Sequence, residues 1–393
     1  MNKELGLKLL SLIMDWDDDQ ARVEFSWLSF MAAYKYDGYG DYLAGARFIE
    51  SLATWLQQFS VRDRTIAYNF VKKNLIYFNP PEIHRLVEKF FPEVVQEDLI
   101  RNVSSRLDIP KHRIWASTES IEEYRWERRK TLFMGLSDGA RIDILRRMNV
   151  ESISNDQIAI VTQIDHQKWK GLLNDLRSDL KEIRNKDTQA EKFSRVYLID
   201  DFTASGTSLL RDPERNGNLK GKLEKFSNSL EKATKDLNGD SPFSDDFEIV
   251  VHHYIGTEQA KENFESLRLK YKKKLCDLGL IGVRLEFGMV LSSDLKITDS
   301  SEDPFVELCR KYYDDAIEGC GIHGGQSGIV GKMFGYANCG LPVVLEHNTP
   351  NNSLPLIWAE TKSDNNNHNM RPLFRRRERY SDMDKEQQNK FER

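Results

Sequence analysis

The sequence predicts an α/β fold, built on a mostly parallel sheet covered on both faces, with a helical N-terminal region. Up to about residue 128, apolar residues recur at spacings of one, three and four, the period of amphipathic helices. From Lys130 onward six short apolar runs alternate with helix-like stretches, the pattern of a sheet with crossover helices. One of those runs, Val196 to Ile199, is apolar without interruption, as a central parallel strand buried on both faces must be.

Along the chain, Phe48, Ile49, Leu52, Trp55, Leu56 and Phe59 form one helical stripe, and Ile66, Phe70, Val71 and Leu75 a second. Pro80, Pro81 and Pro92 punctuate the helices, and Trp27, Phe30 and Tyr34, at helical spacing, are read as core. The six runs are 131–136, 157–162, 195–199, 248–255, 283–290 and 341–346. An insert at 211–246 carries Leu219, Leu223, Phe226, Leu230, Ala233 and Leu237, an amphipathic helix closed by Asn238 and Gly239. Its stripe must be buried somewhere, against the chain's own core, a partner or another copy of the chain. The expected division is a helical region 1–128, an α/β domain 129–362 containing the insert, and a polar, basic tail 363–393. In that tail Asn365, Asn366, Asn367 and Asn369 lead to Arg371, Arg375, Arg376, Arg377 and Arg379, read as a solvated terminus.

The 57 Lys and Arg against 62 Asp and Glu leave a formal charge of −5, so the whole molecule has no field to draw it onto nucleic acid. Four cysteines in 393 residues are too few for a disulfide framework. No window approaches eighteen apolar residues, and residues 1–14 lack a cleavage signal, so the expectation is a soluble cytoplasmic protein without membrane contact.

The chemistry concentrates in RVYLIDDFTASGTSLL, residues 195–210. The carboxyl ends of parallel strands face the ligand crevice, so Asp200 and Asp201 fall where carboxylates can accept hydrogen bonds from a polyhydroxylated ligand such as a ribose. Thr203, Ser205, Thr207 and Ser208 follow around Gly206, and a helix expected from Ser208 would turn their amides into a phosphate cradle. An ordinary strand, turn and helix would explain one capping acid and one hydroxyl, but not two acids, four hydroxyls and a glycine together.

This stretch resembles the phosphoribosyl pyrophosphate signature of the type I phosphoribosyltransferases: an apolar strand, an acid pair, then a Thr/Ser/Ala-Gly-Thr loop. The resemblance implies a sheet of that type and phosphoribosyl pyrophosphate or a nucleotide as ligand. It makes Asp200 and Asp201 the catalytic pair on the ribose hydroxyls, and Thr203, Ala204, Ser205, Gly206, Thr207 and Ser208 the 5-phosphate loop. It also implies Mg²⁺ arriving with substrate, held through few protein ligands. Purine-salvage members carry an acid at the third position after the pair; Ala204 stands there, so a purine acceptor is not supported.

Over about 130–360, FMGLSDGARIDILRR, the acid loop and FGYANCGLPVVLEHNTPNNSLPLIW together resemble the PRTase-CE-like domains of bacterial conflict and antiphage effectors, some in retron operons. That resemblance implies a defence setting, a growth-arresting effector, and a partner protein or nucleoprotein such as a retron reverse transcriptase with its DNA and RNA. Transfer, hydrolysis, nucleotide sensing and scaffolding all stay open, as does homo-oligomerisation.

Two further loops are candidates for the same ligand. Ser137, Asp138, Gly139 and Arg141 follow the first strand of the sheet and open a helix, a place for pyrophosphate. His347, Asn348 and Asn351 follow the last run, with Trp358 near in sequence as a stacking face. His166, Lys168, Lys170, Arg184 and Lys186 are candidates to cover a leaving group. The stretch 325–332, GQSGIVGK, fails the Walker spacing and lacks its Ser/Thr. Cys320, His323, Cys339 and His347 match no closed zinc spacing, and no metal site is expected of them. His252 and His253, adjacent on a strand, point to opposite faces, with one of them expected to be satisfied by a hydrogen bond.

Overall fold

In the computed structural model, which describes residues 3–43, 46–212, 219–319, 333–361 and 368–377, the described residues form seven strands. These are β1 (Ile76–Phe78), β2 (Thr131–Gly135), β3 (Ile158–Ala159), β4 (Phe193–Thr203), β5 (Phe243–Thr257), β6 (Arg284–Leu291) and β7 (Val343–Leu345). Five of the six predicted runs make one sheet in the order β3-β2-β4-β5-β6, parallel at every pairing. The α/β class and the helical N-terminal region stand as expected.

The chain divides into two compact units, Met1–Glu82 with Ser292–Arg393, and Ile83–Leu291. The second unit holds the five-stranded sheet. Strand alternation sends Leu132, Met134, Val196, Leu198 and Val251 to one face, where they pack with Trp169, Leu172, Leu176 and Phe264 from covering helices. On the other face Phe90 touches Phe133, Tyr197, His252 and Tyr254 at ring distances of 6.3, 5.4, 4.3 and 6.4 Å. Beside it Asp98 accepts from Tyr197 Oη at 2.7 Å and pairs with Arg284 and Arg101, a polar network under helix Gln96–Leu107. The helices from Ile83 to Arg129 thus cover the sheet, and residue 128 falls inside this unit rather than at its edge.

The insert forms helix Lys222–Asp236, and Asn238 and Gly239 take the left-handed conformation after it, with φ of 58° and 89°. Leu219, Leu223, Phe226 and Ala233 are buried in the core of the second unit. The stripe is therefore spent on the chain's own core and is not an open face for a partner.

In the first unit, the sixth run departs from expectation: β7 pairs in parallel with β1, Val344 opposite Tyr77, and not with the large sheet. An apolar run specifies a buried strand but not its neighbour, and β1 is too short to read from period alone. The Phe48–Leu56 stripe is buried as expected, and Phe70 stacks on Phe305 at 3.8 Å. Phe30 and Tyr34 are not core; they are 61% and 63% exposed and stack on each other at 5.2 Å, because helix Asp18–Tyr34 turns Leu28 and Ala32 inward instead.

The tail is also not wholly solvated. Leu373 and Phe374 are buried, Phe374 against Tyr36, Tyr39, Tyr42, Phe48 and Tyr77; Arg375 pairs with Glu360, and Arg376 lies 5.3 Å over Trp358. Two apolar residues among arginines are enough to anchor it. Residues 365–367 and Arg379 lie outside the described residues. Among the described residues no helix is long and apolar enough to cross a membrane.

Phe374→Ala should cost about 3–5 kcal/mol in urea unfolding, the usual range for emptying a buried aromatic site. A change below about 1 kcal/mol would show that the tail adds nothing to this core.

Candidate functional site

Parallel pairing on both sides makes β4 the central strand, and Asp200 and Asp201 lie near its carboxyl end. Alternation sends them to opposite faces. Asp200 is buried and Asp201 half-buried. Ser137 Oγ donates to Asp200 Oδ1, Lys222 Nζ pairs with Oδ2, and His253, its register partner on β5, places Nε2 3.7 Å from Oδ2. Burial raises the Asp200 carboxyl above its ordinary range and Asp201 adds to this, while Lys222 and Ser137 pull the other way.

Asp201 turns toward the Ser137 loop. A Cβ on Gly139 would lie 2.4 Å from Asp201 Oδ2 and 2.5 Å from its Cγ, so only glycine lets the carboxylate approach that backbone. Ser137 accepts from the Gly139 amide at 3.2 Å, and Ala140 O accepts from the buried Tyr254 hydroxyl at 3.1 Å. Asp138 is exposed, and Arg141 takes φ 51° before helix Ile142–Met148. The two loops named from sequence, 137–141 and 200–208, are thus brought together at the carboxyl ends of β2 and β4.

The hydroxyl loop rests on the start of helix Glu258–Lys270. Thr257 Oγ1, which caps that helix, donates to Ala204 O at 2.6 Å, and Asn263 Nδ2 donates to Ser205 O at 2.8 Å. Gly206 takes φ 73°, and a Cβ there would meet Ala260 O at 3.0 Å. Thr203, Ala204, Ser205 and Gly206 are buried, Thr207 is intermediate with its Oγ1 2.9 Å from Ser205 Oγ, and Ser208 is exposed. The helix expected from Ser208 does not form. The amides of Leu209 and Leu210 return to Gly206 O, Arg211 bridges Lys220, and the helix begins at Lys222. The donors the loop offers are turn amides and hydroxyls, without a helix of their own behind them.

Lys222 was missed by sequence reading. Its signal is faint: one lysine among many, at the first position of a helix read for its apolar stripe. Of the basic candidates before the motif, Arg184 pairs with Glu123 and covers Trp126 at 4.7 Å, while Lys168, Lys170 and Lys186 are exposed and His166 is intermediate on helix His166–Arg184.

His347, Asn348 and Asn351 lie in the first unit. His347 Nδ1 is 3.4 Å from Glu346, Asn348 Oδ1 accepts from the Arg377 amide at 3.1 Å, and Asn351 O accepts from the Tyr336 amide at 2.7 Å. Trp358 is buried and donates to Ser353 O at 2.9 Å, with Arg376 over its ring, so it is no open stacking face. Among the described residues no group of three metal-ligating side chains gathers. Cys339 is buried and accepts from Asn352 Nδ2 at 3.3 Å; Cys320, His323 and 325–332 lie outside the described residues.

The histidines do point to opposite faces, but neither makes a hydrogen bond among the described residues. Burial pushes both down to about 3, with His253 lowering His252 further and Lys222 lowering His253.

Two measurements follow from these contacts. Lys222→Met should cost about 3 kcal/mol in urea unfolding at pH 7, because it strips the cation from a buried carboxylate, and Asp200→Asn added to it should recover most of that loss. No recovery in the double variant would show that the two do not act as a pair. The unfolded chain binds protons at histidine near 6.5 and the folded chain only near 3, so stability should fall as pH drops through that window, by up to about 1.4 kcal/mol per pH unit for each histidine. His252→Leu should remove one histidine's share of the slope; an unchanged slope would assign it to other groups.

The model of the PRTase-CE family matches residues 52–376. No curated protein and no solved structure matches the chain. The match spans the five-stranded parallel sheet, the acid pair on its central strand and the loop after it. The chain belongs to the PRTase-CE family, a phosphoribosyltransferase-like group.

Proposed function

We propose that the second unit binds phosphoribosyl pyrophosphate or a related nucleotide at the carboxyl ends of β2 and β4 and acts on it. The convergence of the Ser137–Gly139 and Asp200–Ser208 loops on one another supports this reading. Asp201 holds the ribose hydroxyls beside Gly139, while the amides and hydroxyls of Thr203, Ala204, Ser205, Gly206, Thr207 and Ser208 take the 5-phosphate. Arg141 and the Ser137 loop take the pyrophosphate.

The sugar gains positive charge as pyrophosphate leaves, so the buried Asp200 and the adjacent Asp201 stabilise the transition state through charge placed in advance. Magnesium fits here only as an ion carried by the ligand. The acid pair offers one or two ligands and no third donor gathers with it among the described residues. It would supply neutralisation of the pyrophosphate oxygens.

A second reading has its own support. Both oxygens of Asp200 are already engaged, by Ser137 and Lys222, which suits a pocket that senses a nucleotide without turning it over. In the defence setting we place the protein in, either reading serves an antiphage effector that works with a retron reverse transcriptase and its DNA and RNA.

Incubating the full chain with phosphoribosyl pyrophosphate and Mg²⁺ should release pyrophosphate, and Asp201→Asn should lower the rate about 10²–10³-fold with little change in melting temperature. A raised melting temperature without release would favour the sensor. Neither change would reject this ligand. Expression in bacteria, alone or without neighbouring genes, should arrest growth in the wild type and not in Asp201→Asn; arrest that persists in the variant would assign the harm elsewhere.

A further inference from the structure

At the opposite end of the same sheet lies a cleft of about 710 Å³. Arg125, Arg128 and Arg129 reach it from the last turns of helix Thr118–Arg129, and Arg146 and Arg147 from the end of helix Ile142–Met148. Arg129 stands two residues before β2, and Gln157, immediately before β3, also lines the cleft. Gln157 Nε2 fixes that corner by donating to Arg128 O at 2.6 Å and Thr131 O at 2.9 Å. The cleft therefore sits at the amino ends of β2 and β3. A strand of five residues separates it by roughly 16 Å from the acid pair's end of the sheet.

The plainer account is a set of arginines complementing helix C-termini, with ordinary surface pairing. It covers Arg147, which pairs with Asp143, and the exposed Arg125 and Arg146. It does not cover Arg129. That residue is 6% exposed, its Nε donates to Asp179 at 2.6 Å, and its Nη1 and Nη2 are buried with no hydrogen-bond partner among the described residues. Guanidinium N–H groups taken out of water without an acceptor are costly, so a native site supplies one. Arg128, half-buried at the same cleft, is lowered by desolvation first, with Tyr124 opposing the shift and Arg125 adding to it. Three acids line the cleft, Glu151, Asp179 and Glu182, fewer than the arginines, and Asp179 is already held by Arg129.

We propose that this cleft is a second ligand site, for a small polyphosphate such as the phosphate chain of a nucleotide. The volume exceeds what one inorganic ion fills and lies within the range of small-ligand pockets. Planar arginine forks matched to several phosphate oxygens are the recognition chemistry for such a group. A nucleic-acid backbone would share that chemistry. The recessed Arg129 favours a compact phosphate chain that can enter the cleft over a strand laid across it.

Isothermal titration of the full chain with inorganic tripolyphosphate tests the site, in the wild type, in Arg128→Gln/Arg146→Gln and in Asp201→Asn. The expected result is binding that weakens at least tenfold in the arginine variant, whose melting temperature is unchanged, and persists in Asp201→Asn. Arg129→Lys, which keeps the charge but loses the fork, should weaken binding as well. Absence of binding in the wild type, or equal affinity in the arginine variant, would overturn the proposal. So would binding lost only in Asp201→Asn, which would put the probe at the other end of the sheet and leave the proposed function untouched. A 20-nucleotide single strand that binds the cleft more tightly than tripolyphosphate, with the same arginine dependence, would overturn it in favour of a nucleic-acid surface.

Discussion

A carboxylate buried at the end of a central strand must be answered by its surroundings, and in this protein Asp200 organises them. Ser137 comes from the loop after β2, Lys222 from the start of the insert helix, and His253 from β5. Ser137 and Lys222, distant in sequence, are thereby held to the end of β4 by one carboxylate, and His253 lies beside it. The insert's apolar stripe then has a reason to pack inward, since Lys222 and Leu223 are neighbours on one helix, and the first is drawn to Asp200 while the second is buried in the core. Breaking the pair would leave an uncompensated charge in a place water cannot reach, which costs more than making the pair gains.

The same constraint separates the two acids by role. Alternation along a strand gives adjacent residues opposite faces, so Asp200 and Asp201 cannot share an environment. Asp200 is committed to the protein. Asp201, half-buried and laid against the Cα of Gly139, is where a ligand's hydroxyls meet carboxylate with least rearrangement. A ligand that engaged Asp200 as well would have to replace Lys222 or Ser137 as its partner.

What was legible in the sequence is what local period and local chemistry determine. Val196 to Ile199 reads as a central buried strand, and its parallel pairing is the pairing expected from helices between runs. The hydroxyl loop was readable because Thr203, Ser205, Gly206 and Thr207 are consecutive. Lys222 was not, because its importance comes from a contact across 22 residues. The run at 341–346 misled for a related reason: Val343, Val344 and Leu345 are as apolar as any strand, but pairing with Ile76–Phe78 is a long-range choice that no window contains. Phe374 was hidden by its neighbours' charge, and Phe30 and Tyr34 looked like core because spacing cannot say which side of a helix meets the rest of the chain.

A parallel sheet has two chemically different ends, and this one uses both. At the carboxyl ends, turn amides and hydroxyls surround two acids, a setting that suits a sugar phosphate. At the amino ends, the arginines gather around Arg129 with too few acids to satisfy them. β2 runs directly between the two, since Arg129 precedes it and Ser137 follows it. Its five residues are all buried and all paired with β4, and Phe133 and Met134 pair with β3 as well, so one close-packed strand joins the two ends.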